Sequence, residues 1–136
     1  MTTSAPLKID HIGVAVQNLD ERKKLFGEII GLQYKGEETI EDQGVRVAFF
    51  QIGETNIELL EPLGEDTPVG KFLQKRGEGI HHVALAVKGI EDIIASLKSA
   101  GIRMIDEKPR TGAHGKKIAF LHPASTGGVL LELCEG

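Results

Sequence analysis

Apolar and other positions alternate along "KIDHIGVAV" at residues 8–16: Ile12, Val14 and Val16 fall on one side, His11, Gly13 and Ala15 on the other. A period of two is that of a β-strand, whose neighbouring side chains point to opposite faces. The same alternation returns in "IHHVALAV" at 80–87, with Val83, Leu85 and Val87 opposing His82, Ala84 and Ala86. A helical pattern follows each strand. In the first, Leu25, Phe26, Ile29 and Ile30 form an apolar stripe, with Asp20 as the expected N-cap and Gly31 as the stop. In the second, the stripe is Ile90, Ile93, Ile94 and Leu97, and Gly101 ends it. Three further strands are predicted in each half, at about 32–38, 45–52 and 55–61, then 102–108, 117–122 and 128–134, with glycine-punctuated turns between them. The linker "GEDTPVGKFLQKRGEG" predicts a short helix with Thr67 as cap and Pro68 at its first position.

The two halves are copies of one β-α-β-β-β unit. His11 falls on His82 at an offset of 71 residues (82 − 11), and Phe49 falls on Phe120 at the same offset. Glu58 falls on Glu132 at an offset of 74 (132 − 58), which places a three-residue insertion in the turn "PASTGG". The expectation is a single α+β domain over 1–136. Module one spans about 7–62, the linker helix about 64–77 and module two about 79–135.

Composition narrows the class without changing this picture. A chain of 136 residues with 40% hydrophobic and 26% charged residues is an ordinary globular domain, long enough for a real core. A net charge of −4 argues against nucleic acid as a partner. The single cysteine, Cys134, allows no intrachain disulfide and reads as a small core residue in a reducing compartment. Neither a signal-peptide pattern nor a run of membrane-spanning length is visible, so the expected location is the cytoplasm, with no membrane partner.

The candidate chemistry sits on the faces opposite the bulky residues. His11 and His82 each begin a face of small side chains, while His81 aligns with Asp10 on the other face and reads as structural or solvent-facing. Glu58 stands between Ile57 and Leu59, and Glu132 between Leu131 and Leu133. A carboxylate among apolar neighbours is costly to bury unless it is paired or bound to a metal. One such residue alone would pass for a satisfied core group. The same His and Glu in both copies would not. If the copies pair about a pseudo-two-fold axis, the four side chains converge on one point. Two imidazoles and two carboxylates suit a divalent ion with two positions left for substrate or water; Co(II), Mn(II), Ni(II), Mg(II) and Zn(II) all fit.

With paired modules and this His/Glu, His/Glu pattern, the chain resembles the vicinal oxygen chelate superfamily. The linker "EPLGEDTPVGKFLQKRGEGIHH" and the stretch "GAHGKKIAFLHP" resemble its methylmalonyl-CoA epimerase family. That resemblance implies a curved, cup-like mixed sheet, with His11, Glu58, His82 and Glu132 as metal ligands and cobalt as the first ion to expect. It also implies a homodimer acting on an acyl-CoA. The implied reaction interconverts the 2R and 2S forms of methylmalonyl-CoA through an enediolate-like anion, which the metal stabilises. Val47 stands where some relatives carry a Glu proposed as a base, so that base does not carry over. The expectation is instead that Glu58 and Glu132 loosen from the metal and serve as the two bases.

Lys117, bordering a strand in the glycine-rich stretch "RTGAHGKK", is the expected contact for an anionic part of the substrate; His114 reads as solvent-exposed and His122 as a strand-end residue. Two other functions compete. A glyoxalase I-like isomerase would use the same ligands on a hemithioacetal of glutathione, and the linker and "GAHGKKIAF" argue for the epimerase. A metal-free protein that sequesters a small molecule would have little reason to keep all four ligands.

Overall fold

The computed structural model describes residues 5–136. Its elements run β1 (Lys8–Ala15), α1 (Leu19–Lys23, continued by a π-helical segment Lys24–Ile29), β2 (Gln33–Ile40), β3 (Val45–Ile52) and β4 (Thr55–Pro62), followed by α2 (Pro68–Arg76). The second half runs β5 (Gly79–Ala86), α3 (Ile90–Ser99), β6 (Arg110–Thr111), β7 (Lys117–Phe120) and β8 (Leu131–Glu135). The chain divides into two compact units: His11–His81, and the residues through Asp10 together with His82–Gly136.

In the first unit the strands lie in the order β2-β3-β4-β1. β2, β3 and β4 are antiparallel neighbours, and β4 runs parallel to β1 with Glu58 opposite Gly13. One face carries Ala48, Phe50 and Leu59, which pack with Val16 and Leu19 and with the half-buried Val14, Phe26, Leu32 and Ile57. This is the bulky face expected beneath the helix. The helix itself differs from expectation. Asn18 caps it, its side-chain oxygen accepting from the Glu21 N–H at 3.0 Å, whereas Asp20 accepts from Arg46 at 3.1 Å. Leu19 is its fully buried anchor, and Ile29 and Ile30 are exposed at 70% and 57%. The wider π-helical turn rotates these late positions off the 3.6-residue phase that the apolar stripe assumed.

In the second unit the order is β5-β8-β7-β6, with β5 and β8 parallel and the other neighbours antiparallel. Ala84 and Phe120 flank Glu132 in register, as Gly13 and Phe49 flank Glu58. The sequence repeat is therefore a repeat of hydrogen-bond register. α3 buries Ile90 and Ile94 with Val87, Ala119, Leu121 and Leu133, as its stripe predicts. The strand expected over 102–108 does not form. Only Met104 makes a bridge, to Leu121, and the edge strand is the two-residue β6. The Asp106 carboxylate accepts from the Phe120 N–H at 2.8 Å, where a backbone carbonyl would continue the ladder. Pro109 then brings no N–H to restart it.

The linker helix α2 is as predicted: the Thr67 hydroxyl accepts from the Gly70 N–H at 3.1 Å, with Pro68 in the first turn. Cys134 is buried beside Ile118 and Phe120. Among the described residues no helix is long and apolar enough to cross a membrane.

Candidate functional site

Each unit places one histidine and one glutamate in contact on the face opposite its helix. In the first, the small side chains of Gly13 and Ala15 leave room on β1, and His11 Nδ1 lies 3.2 Å from Glu58 Oε2. In the second, Ala84 and Ala86 do the same on β5, and His82 Nε2 lies 3.0 Å from Glu132 Oε1. All four residues are buried, between 4% and 7% exposed. Phe120, the register neighbour of Glu132, sets its ring edge-on to His82 at 5.5 Å between centroids. A buried carboxylate needs a partner that bears positive charge or donates a hydrogen bond. An imidazole beside each one meets that need. Neutral imidazole and carboxylate oxygen together form a donor set for a borderline-to-hard divalent ion.

The adjacent histidines are thereby separated. His82 belongs to the His–Glu pair, while His81 packs edge-on against Phe72 of α2 at 5.0 Å. Lys117 does not join the pair in its unit. It sits with Ala119 on the helix-facing side of β7, exposed and paired with Glu91, whose carboxylate is 3.0 Å from Nζ. That hydrogen bond raises the Lys117 pKa above its ordinary value and lowers that of Glu91. Its neighbour Lys116 is the lysine that turns to a buried group, the Asp10 carboxylate at 3.2 Å. His114 is exposed, in a left-handed backbone conformation with φ of 58°, and His122 Nδ1 accepts from the Ala124 N–H at the turn after β7.

One recurrent pair escaped the sequence reading. Glu61 accepts from the Leu19 N–H at 2.8 Å, and Glu135 accepts from the Gly89 and Ile90 N–H groups at 2.8 and 3.0 Å. In both units the last carboxylate of the strand that carries the site glutamate also ties down the start of the helix. The signal was present in the alignment of "NIELLE" with "LLELCE". It went unread because helix caps are sought next to the helix, not 42 or 45 residues away.

The Glyoxalase/Bleomycin resistance protein/Dioxygenase superfamily profile matches residues 10–120. The chain belongs to this superfamily. Within it, the chain falls in the methylmalonyl-CoA epimerase family: it is 39% identical over 131 residues to the ethylmalonyl-CoA/methylmalonyl-CoA epimerase of Cereibacter sphaeroides, covering 93% of this chain and 96% of that one. The crystal structure of methylmalonyl-CoA epimerase from Mycobacterium tuberculosis aligns with a TM-score of 0.94 at 36% identity, over 99% of this chain and 91% of the other. A methylmalonyl-CoA epimerase solved in complex with methylmalonyl-CoA and NH4+ aligns with a TM-score of 0.93 at 38% identity, over 97% and 96% of the two chains. The α+β fold expected from the repeat, and the glyoxalase-like fold that the resemblance implies, are the fold of this superfamily member.

Proposed function

We propose that this enzyme is a divalent-metal-dependent epimerase that interconverts the 2R and 2S forms of methylmalonyl-CoA. The observation that carries the reading is the buried His–Glu pair, repeated at equivalent register positions in both units of a methylmalonyl-CoA epimerase fold. His11, Glu58, His82 and Glu132 together hold one ion, with cobalt the first to test. The ion supplies positive charge for the oxygens of an acyl thioester as C2 loses its proton.

The chain's own residues do the rest. Gly13, Ala15, Ala84 and Ala86 keep the inner faces of β1 and β5 low, so that a small branched acyl group can approach the ligands. The glutamate on β8, Glu132, takes or returns the C2 proton on the module-two side. A general base of this kind contributes roughly 100- to 10,000-fold. The assembly expected with this activity is a homodimer.

Deuterium uptake at C2 of methylmalonyl-CoA in deuterated water, followed by NMR with added Co(II) and again with chelator, tests the proposal. Rapid uptake that chelator abolishes supports it. Absence of uptake by metal-loaded enzyme sinks it, and turnover of a glutathione hemithioacetal would then establish the glyoxalase-like activity.

A further inference from the structure

Epimerisation needs a proton acceptor and donor near the carbon on both sides of C2. On the module-one side Glu58 is held by His11 and, under the proposed function, by the ion. A second carboxylate occupies the same face.

β2 pairs with β3 so that Glu38 stands opposite Val47, and β3 pairs with β4 so that Val47 stands opposite Leu60 and Phe49 opposite Glu58. Directly opposed residues of neighbouring strands share a face. Glu38, Val47, Phe49, Glu58 and Gly13 therefore lie on one face of this sheet, away from α1. A bulge decides which carboxylate stands there. Tyr34 is opposite Phe50 and Glu37 is opposite Ala48, so three steps along β2 match two along β3. The extra residue falls at Lys35 or Gly36, and Gly36 has a φ of +108°, a conformation that other residues avoid. Without it, Glu38 would share the helix-side face with Arg46 and Glu37 would take the place opposite Val47. With it, Glu37 joins Lys23 and Arg46 on the outer side, where the Lys23 hydrogen bond lowers its pKa. Glu38 turns inward, half-buried beside Val47 and Phe49, which are each 1% exposed. Two strand spacings and a two-residue offset along the strands, roughly 12 Å, separate its Cβ from that of Glu58, so the two carboxylates are distinct groups on that face.

We propose that Glu38 is the catalytic acid-base on the module-one side of C2, with Glu132 serving the other side and Glu58 remaining a ligand. This rests on the epimerase reading above. In one direction the C2–H bond breaks, its proton forms an O–H bond on Glu38, and its electron pair delocalises onto the thioester oxygen. A proton from the Glu132 carboxyl group then bonds to C2 on the opposite side, and exchange with water resets both carboxyls.

The test uses E38Q enzyme loaded with Co(II), assayed separately with each epimer of methylmalonyl-CoA in deuterated water. The epimer whose C2–H faces Glu38 should lose exchange by about 100-fold or more. The other should still take up deuterium, with retention of configuration, because Glu132 both removes and returns its proton. Cobalt affinity should be unchanged. Wild-type epimerisation by E38Q, or equal loss of exchange from both epimers, would overturn the assignment. A wild-type enzyme that exchanges neither epimer would instead remove the epimerase reading on which it rests.

Discussion

His11 and His82 are the residues whose loss should be felt first at the proposed ion. Each shares a buried pocket with a glutamate, and alanine at either position leaves that carboxylate without its imidazole. His11→Ala and His82→Ala should therefore each weaken Co(II) binding, measured by calorimetry, by more than the roughly 10- to 100-fold that outer-shell changes cost. Glu132→Gln keeps the shape and an acceptor oxygen but removes the proposed base. It should abolish C2 exchange even in protein shown by metal analysis to retain its ion; near-normal exchange would remove Glu132 from that role. These four side chains were legible in the sequence because two copies repeat them, which no single strand could have established. Glu38 was not legible. A strand read with strict alternation puts Glu37, not Glu38, opposite Val47, and nothing in "QYKGEETI" marks where the extra residue enters except a glycine. The side of β7 on which Lys117 stands, with Glu91 as its partner, was likewise not legible from its place beside the strand.

Among the elements, α3 shows how a helix start is fixed from a distance. Gly89 at its N-terminus offers no side-chain cap, and Glu135 fills the place from β8. The two N–H groups, Ile90 first and then Gly89, hold the Glu135 carboxyl below its ordinary value of 4.5. A lowered native value means stability that is complete above the unfolded pKa and lost as pH falls through the native one. Glu135→Gln should thus lower stability in urea denaturation by about 0.5–1 kcal/mol at pH 7, at the low end for a cap because the group is solvent-screened. The gap between variant and wild type should narrow as pH falls below 4.5 and through the lowered native value. At the other helix start of note, a Cβ on Gly70 of α2 would lie 2.3 Å from the Gly64 carbonyl oxygen and 2.8 Å from that of Glu65. Gly70→Ala should cost about 1–3 kcal/mol through that backbone clash, outweighing the better helix propensity of alanine, and thermal melts would show it. α2 and α3 were read correctly because their caps or stripes obey the local rules. α1 was not, since its π-helical segment shifts the phase, and the 102–108 strand failed because Asp106 supplies from a side chain what a strand supplies from its backbone.

For the whole molecule, the proposed ion ought to be a stability element as well as a reagent. A ligand present at 100 times its Kd adds about 2.7 kcal/mol to the native state. For a chain of this length that corresponds to a rise in Tm of roughly 8 °C, so chelator should lower the melting temperature by that order and Co(II) restore it. An unchanged Tm under both conditions would count against a tightly held ion. The large-scale plan was the most legible part of the sequence. The offset of 71 residues survives in the structure as equal ladder positions, Gly13 opposite Glu58 and Ala84 opposite Glu132, and the change to 74 at the glutamates is absorbed in the longer β7–β8 connection.

The capping glutamates give this plan a temporal side. Beyond its local cap Asn18, α1 has its Leu19 N–H held by a residue 42 positions downstream, and α3 receives its cap from one 45 positions downstream of Ile90. As the chain emerges during synthesis, each helix is made well before the strand that secures its first turn. Neither helix is then a finished local structure awaiting assembly; the N–H groups at its start are all satisfied by these glutamates only when its own sheet forms. Helix and sheet in each module should be acquired in one cooperative step, and a peptide covering either helix alone should be largely unstructured in water.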